Sequence, residues 1–176
     1  MIPYRIYTLT PADQKFFPLI ADALHKQQKE LFGNMLPIPI PDYNGRIFAD
    51  TYISAPDTCC IIALNQKDEI IGNIALRPYN YRFVLNNLHG EHIAEVIKLY
   101  VRPDYRRQAL GARLFAHLKN HAQNIGISHL YLHTHPALNG AIAFWEKQGF
   151  KHLGKEESDI WCGEWQIVHM SLAVNT

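Results

Sequence analysis

Two spacings of apolar residues run along this chain, and the change between them divides it near residue 101. Tyr4 to Thr8 reads as a first strand. Phe16, Phe17, Ile20, Leu24 and Leu31 then recur at helical intervals and predict a helix to about Phe32. Thr10 as N-cap, Pro11 at the first helical position and Asp13 near the exposed amides mark its expected start. Prolines alternate from Met35 to Gly45, which no helix or central strand supports. This stretch is expected to be a stiff loop, either a packed connector or a wall of a binding cleft. A short helix is weakly signalled over Arg46 to Ile53.

Three strands follow. Cys59 to Leu64 is a continuous apolar run, Asn65 to Asp68 a turn, and Glu69 to Arg77 the returning arm of a hairpin. The third strand is His92 to Val101, with Ile93, Ile97, Leu99 and Val101 apolar at odd positions and Glu95 interrupting them. Beyond it the period changes. Leu110, Leu114, Leu118 and Ala122, with Phe115 and Ile125, define an amphipathic helix ended by Gly126. Ser128 to His133 is a strand, Leu138 to Trp145 a second helical stripe ended by Gly149, and Phe150 to Leu153 and Gln166 to Ala173 are closing strands. Strands alternating with helices imply crossover units on a mixed sheet, so the expected class is α/β.

The chain has 176 residues, 48% of them hydrophobic and 19% charged. That is the profile of one globular domain, spanning residues 1–176. Lys and Arg total 17 against 16 Asp and Glu, a balance that disfavours nucleic-acid binding. The cysteines, Cys59, Cys60 and Cys162, show neither a disulfide framework nor zinc spacing, and predict free thiols in a reducing compartment. No signal-peptide core follows Met1, and no apolar run approaches the roughly 18 residues of a membrane span. A soluble, cytoplasmic protein with no membrane partner is expected.

The chemically informative stretch is Val101 to Leu114. A strand ends, Pro103 turns the chain, and a helix begins with Arg106, Arg107, Gln108, Ala109 and Gly111 around its first amides. Free amides, small residues and added positive charge suit a pyrophosphate, although a solvated, ion-paired turn has the same composition. No GxxxxGK[ST] motif is present and no GxGxxG follows a first strand, which excludes a Walker loop and disfavours a dinucleotide fold.

Ile97 to Val101, Pro103 and the run Tyr105-Arg106-Arg107-Gln108-Ala109-Leu110-Gly111 resemble the acetyl-CoA motif of the GNAT superfamily of N-acetyltransferases, [Q/R]-x-x-G-x-[G/A]. Asn139 to Phe150, ending Gly149-Phe150, is similar to that family's Asn-containing helix. The motif resemblance covers about residues 93 to 154, and the earlier half matches in element order. It implies a mixed sheet flanked by helices with a splayed central strand, and acetyl-CoA as co-substrate. Leu99, Tyr100 and Val101 would pair with the pantetheine arm. The amides of Arg106, Arg107, Gln108, Ala109, Leu110, Gly111 and Ala112 would hold the pyrophosphate. Asn139 and Trp145 would flank the thiol end.

Two positions depart from the pattern. Ala109 replaces the usual first Gly; alanine tolerates helical dihedrals, so the expected cost is only crowding of a phosphate oxygen. Trp145 stands where many members have a Tyr that protonates the thiolate, and indole is no acid. Water, Tyr100, Tyr131 or His133 would then supply that proton, or the protein is a non-catalytic acyl-CoA sensor. For the enzyme, the implied reaction is attack of a primary amine, on a small molecule or a peptide, upon the thioester. A backbone N–H near Leu99 would face the oxyanion. Glu95 is the candidate base, with Glu91 and His92 as fallbacks; the alternative is a carboxylate paired with Lys98 or Arg77.

His133 and His135 form an HxH pattern beside the cleft, but no third ligand is in view, so no metal is expected. Tyr43, Tyr79 and Tyr81 are candidates for an acceptor pocket. Trp161 and Trp165 read as core or interface rings, and Glu156, Glu157 and Asp159 as a solvated acidic loop. The assembly is expected to be a monomer or a homodimer.

Overall fold

The computed structural model describes residues 3–33, 45–83, 92–158 and 165–174, together with Leu85 and Leu88. The apolar run after Thr58 forms a strand buried along its whole length. Cys59, Ile61 and Ala63 enter one hydrophobic cluster, while Cys60, Ile62 and Leu64 enter another. A strand covered on both faces needs no polar alternation, which is why this one reads as an unbroken apolar run.

The strands are β1 (Tyr4–Thr8), β2 (Cys59–Asn65), β3 (Ile70–Pro78), β4 (Ile93–Val101), β5 (His129–Thr134), β6 (Lys151–Ser158) and β7 (Trp165–Ala173). They form one sheet in the order β1-β2-β3-β4-β5-β7-β6. The β4–β5 pair is parallel, and the other ladders are antiparallel. Helices α1 (Phe17–Phe32) and α2 (Gly45–Tyr52) bury Phe17, Ile20, Leu24, Phe48 and Tyr52 on one face. Helices α3 (Leu110–Asn124) and α4 (Ala141–Lys147) bury Leu110, Leu114, Phe115, Leu118 and Trp145 on the other. Among the described residues no helix is long and apolar enough to cross a membrane.

The first helix starts later than its capping residues suggest. The Asp13 carboxylate accepts the Thr10 N–H at 2.8 Å and the Tyr7 hydroxyl at 2.6 Å, closing a turn that competes with helix. A 3₁₀ turn over Gln14–Phe16 follows, and α1 begins at Phe17 with Pro18 in its first turn. The other strand boundaries and the short helix α2 match the sequence pattern closely, but β6 runs past the expected Leu153 to Ser158, and Glu156 and Glu157, expected in an acidic loop, pair with Ile167 and Gln166 of β7. Most of the proline-rich loop, with Tyr43, lies outside the described residues, as do Glu91, Asp159, Trp161 and Cys162.

In β4 the alternation changes phase. Ala94 and Val96 face the α3 cluster, Ile97 faces α1 and α2, and then Leu99 and Val101 face α3 again. The change occurs at Lys98, whose φ is +57°, and the β3–β4 register shifts there. This is a β-bulge. Left-handed backbone costs a non-glycine residue about 1–2 kcal/mol, so surrounding structure must hold it. The ladder to β5 covers Ile93↔His129, Ala94↔Leu130 and Glu95↔Tyr131 and goes no further, so β4 and β5 splay beyond Glu95.

At the far end of β4, His92 ties three elements together. Its Nε2 lies 3.0 Å from the Asp57 carboxylate and its Nδ1 lies 3.0 Å from the Gly126 carbonyl. The Asp57 hydrogen bond raises the His92 pKa against the opposing effect of burial. A raised folded-state pKa stabilises below the unfolded value, about 6.5, and the gain is lost as pH rises through the folded value. Asp57 has φ +56°, which Asn tolerates. Asp57→Asn is therefore expected to lower the melting temperature at pH 6 and to leave it unchanged at pH 9, as read by thermal unfolding.

Candidate active site

The splay leaves the β5-facing edge of Val96–Val101 outside the β4–β5 ladder, and the parting between the two strands is the candidate slot. At its mouth the 3₁₀ turn Pro103–Tyr105 leads into α3. The Arg113 N–H bonds back to the Ala109 carbonyl at 3.0 Å, so the amides of Leu110, Gly111 and Ala112 occupy the unpaired first turn. An anion placed there meets free donors and the positive end of the helix dipole.

The side chains of this turn mostly shape the protein itself. Arg106 donates through Nε to the Val101 carbonyl at 2.8 Å and through Nη2 to Glu30 at 3.0 Å. Gln108 reaches the Asp104 carbonyl at 3.3 Å. Leu110 is in the core, and Gly111 passes close to Phe144 and Val101, where a Cβ would lie 3.4 Å and 3.7 Å away. Arg107 is exposed, with φ +60°.

Ala109 differs from expectation. It is not helical but left-handed, at φ +60° and ψ +9°, as the residue immediately before α3. The chain has to reverse there before the helix can start, so the methyl group strains the backbone whether or not a phosphate is near. Trp145 is 7% exposed and sits edge-on to Phe115, Phe144 and Phe150, at 5.5, 4.9 and 5.2 Å between centroids. It is a core ring. Asn139 is exposed in the turn before α4.

Glu95 is fully buried, on the α1-facing side of β4. Arg77 donates to it through Nε at 2.8 Å, Arg82 through both terminal nitrogens, and His133 Nδ1 lies 3.2 Å from Oε1 and also 3.2 Å from Arg82 Nη2. Burial alone would raise its pKa. Hydrogen bonds from His133 and Arg82 and the charges of Arg77 and Arg82 outweigh burial and hold the carboxyl well below the usual range. Such a carboxylate is a weak base. Of the two sequence alternatives, the structure shows the pairing with Arg77.

The other candidates separate on their surroundings. The Tyr100 hydroxyl donates to Glu30 at 2.6 Å; burial first and then that bond push its pKa up to about 12. Tyr131 is buried, its hydroxyl 2.7 Å from His169 Nδ1, and burial raises its pKa further still. Neither is poised to release a proton. Tyr79 packs against Tyr131 and donates to the Phe83 carbonyl, so it belongs to the packing, whereas Tyr81 is 61% exposed at φ +53°. The His135 Nδ1 accepts the Ala137 N–H in the turn after β5. His92 lies at the opposite end of β4. Among the described residues no group of three His, Cys, Asp or Glu could hold a metal. His133 remains, 35% exposed beside the slot.

These features agree with what comparison finds. Residues 22–150 match the Acetyltransferase (GNAT) family. The chain is 27% identical over 133 residues to the probable N-acetyltransferase san of Drosophila melanogaster, covering 75% of this chain and 65% of that one. A GNAT-family acetyltransferase of Streptococcus pneumoniae superposes with a TM-score of 0.76 at 18% identity, over 98% of this chain and 100% of that one. An aminoglycoside 6'-N-acetyltransferase in complex with coenzyme A gives 0.71 at 17% identity, over 98% of each. The chain belongs to the GNAT acetyltransferase family, and its splayed mixed sheet is that family's fold.

Sequence reasoning missed Arg82, which grips Glu95, and the buried amide pair in which Gln27 Nε2 donates to Asn73 Oδ1 at 2.7 Å. Arg82 lay in a loop rich in Tyr and Asn. Asn73 carried a readable signal, a lone amide in the apolar run Ile70 to Leu76. Relieving the left-handed alanine gives a direct test of the turn. Ala109→Gly is expected to stabilise the protein by about 1 kcal/mol, measured by denaturant unfolding.

Proposed function

We propose that this chain transfers the acetyl group of acetyl-CoA to a primary amine carried by a small molecule or a peptide. The observation that carries the reading is the position of His133 beside the slot, with Nδ1 against the buried Glu95 carboxylate. The pantetheine arm pairs with Leu99–Val101 along the open edge of β4, near Asn139, and the pyrophosphate rests on the amides that open α3.

An alkylammonium has a pKa near 10 and must lose a proton before it can attack. In this reading His133 Nδ1–H donates to Glu95, which leaves the Nε2 lone pair to take that proton. Glu95 thus orients the base instead of being it. The free amine attacks the thioester carbon, a C–N bond forms, and the carbonyl pair moves onto oxygen opposite the Leu99 N–H. Collapse breaks the C–S bond, and the surplus proton on nitrogen passes to the CoA sulfur. A thiol pKa near 8.5 makes that leaving group tolerable without a strong acid. Trp145 is a core ring and supplies no proton, so this reading takes the sulfur's proton from the substrate nitrogen; a non-catalytic acyl-CoA sensor is the alternative that the same assay tests.

The experiment is release of free CoA thiol from acetyl-CoA against a panel of amines. His133→Ala is expected to lower kcat by about 10²–10⁴-fold with little change in the KM for acetyl-CoA. An unchanged kcat would remove His133 as the base, and no release with any amine would overturn acetyl transfer itself.

A further inference from the structure

The bulge in β4 is held by two buried amides. Asn73, on β3, is 1% exposed and donates through Nδ2 to the Lys98 carbonyl at 2.6 Å. Gln27, on α1, is 8% exposed and donates through Nε2 to Asn73 Oδ1 at 2.7 Å. An amide side chain has two ends of different polarity. Gln27 settles which end of Asn73 meets the bulge, because a flipped Asn73 would set two donors against each other and two acceptors against each other.

A peptide unit is planar and trans, so its C=O and N–H point in opposite directions. The Lys98 carbonyl is drawn toward β3 and the α1 face. The Leu99 N–H of the same peptide therefore points away from β3, to the side where β4 has parted from β5. We propose that Asn73 and Gln27 are positioning residues. They fix the Lys98–Leu99 peptide so that the Leu99 N–H faces the acetyl carbonyl oxygen and polarises it. The proposal rests on the reading of the slot as an acetyl-CoA site.

A merely structural pair would predict something else. Packing alone would favour an apolar residue at 73, since its cross-strand partner Ile62 and Ala75, both in the α1–α2 cluster, are buried and apolar. The amide instead serves a carbonyl that has left its ladder next to a left-handed residue, where misalignment of a few tenths of an ångström changes a hydrogen bond to a reacting atom. Preorganised donors of this kind act by being in place before charge develops.

The test is isotope-edited infrared spectroscopy of acetyl-CoA, ¹³C-labelled at the carbonyl, bound to the full chain, combined with steady-state kinetics. The wild type is expected to shift the thioester carbonyl stretch to lower frequency than that of free acetyl-CoA. In Asn73→Leu the stretch should return toward the free value. There kcat should fall by about 10²-fold, with little change in the KM for acetyl-CoA. Gln27→Met, which leaves Asn73 in place but free to flip, should lose part of the shift and part of kcat; it decides the matter if Asn73→Leu does not fold. Folded variants that bind acetyl-CoA and keep the wild-type shift would overturn the positioning role while acetyl transfer stands. So would a wild type that turns over without a shift. A wild type that neither binds nor turns over would remove the acetyl-CoA site, and the proposal with it.

Discussion

A carbonyl that leaves its ladder inside a protein must find another donor, or its burial costs about 1–3 kcal/mol. The Lys98 carbonyl finds Asn73. Much of the architecture on this side of the sheet depends on that exchange. It permits the left-handed turn in β4, and the turn swings Leu99 and Val101 to the α3 face. The packing of those side chains against α3 leaves the edge of β4 beyond Glu95 outside the β5 ladder. A sheet with an uninterrupted β4 would zip against β5 and close the slot.

The second constraint is electrostatic. Glu95 carries one negative charge into the interior against two guanidinium groups, so the cluster survives burial only as a unit. Removing one partner strands a charge. The β3–β4 segment takes part through Arg82, whose guanidinium also lies over Phe83, and Phe83 meets His133 and His169 edge-on. Charge pairing and aromatic packing thus hold one face of the cleft in place together.

The fold was largely legible in the sequence. Continuous and periodic apolar runs mark the elements because burial on one or two faces leaves a pattern, and the chain order of the elements fixes the crossover. The turn into α3 was legible as a location and not as a conformation: small residues announce a tight turn, yet nothing in Ala109 says that its φ is positive. Glu95 was legible as an anomaly on an apolar strand and Arg77 as one partner, but Arg82 and His133 were not, because they come from a loop and from the neighbouring strand. The bulge was hidden most completely. Apolar residues at 93, 97, 99 and 101 suggest one continuous face, and nothing in Lys98 as a residue announces the positive φ at which the face changes.

The two neighbouring cysteines of β2 carry a consequence for how the molecule comes apart. Cys59 belongs to the α3 side of the sheet and Cys60 to the α1–α2 side, and burial pushes the Cys59 thiol up to about 12 and that of Cys60 higher. Both are inert while the sheet is covered. Because they sit one residue apart but under different layers, the order in which they become alkylatable during slow denaturation records which layer of helices peels away first.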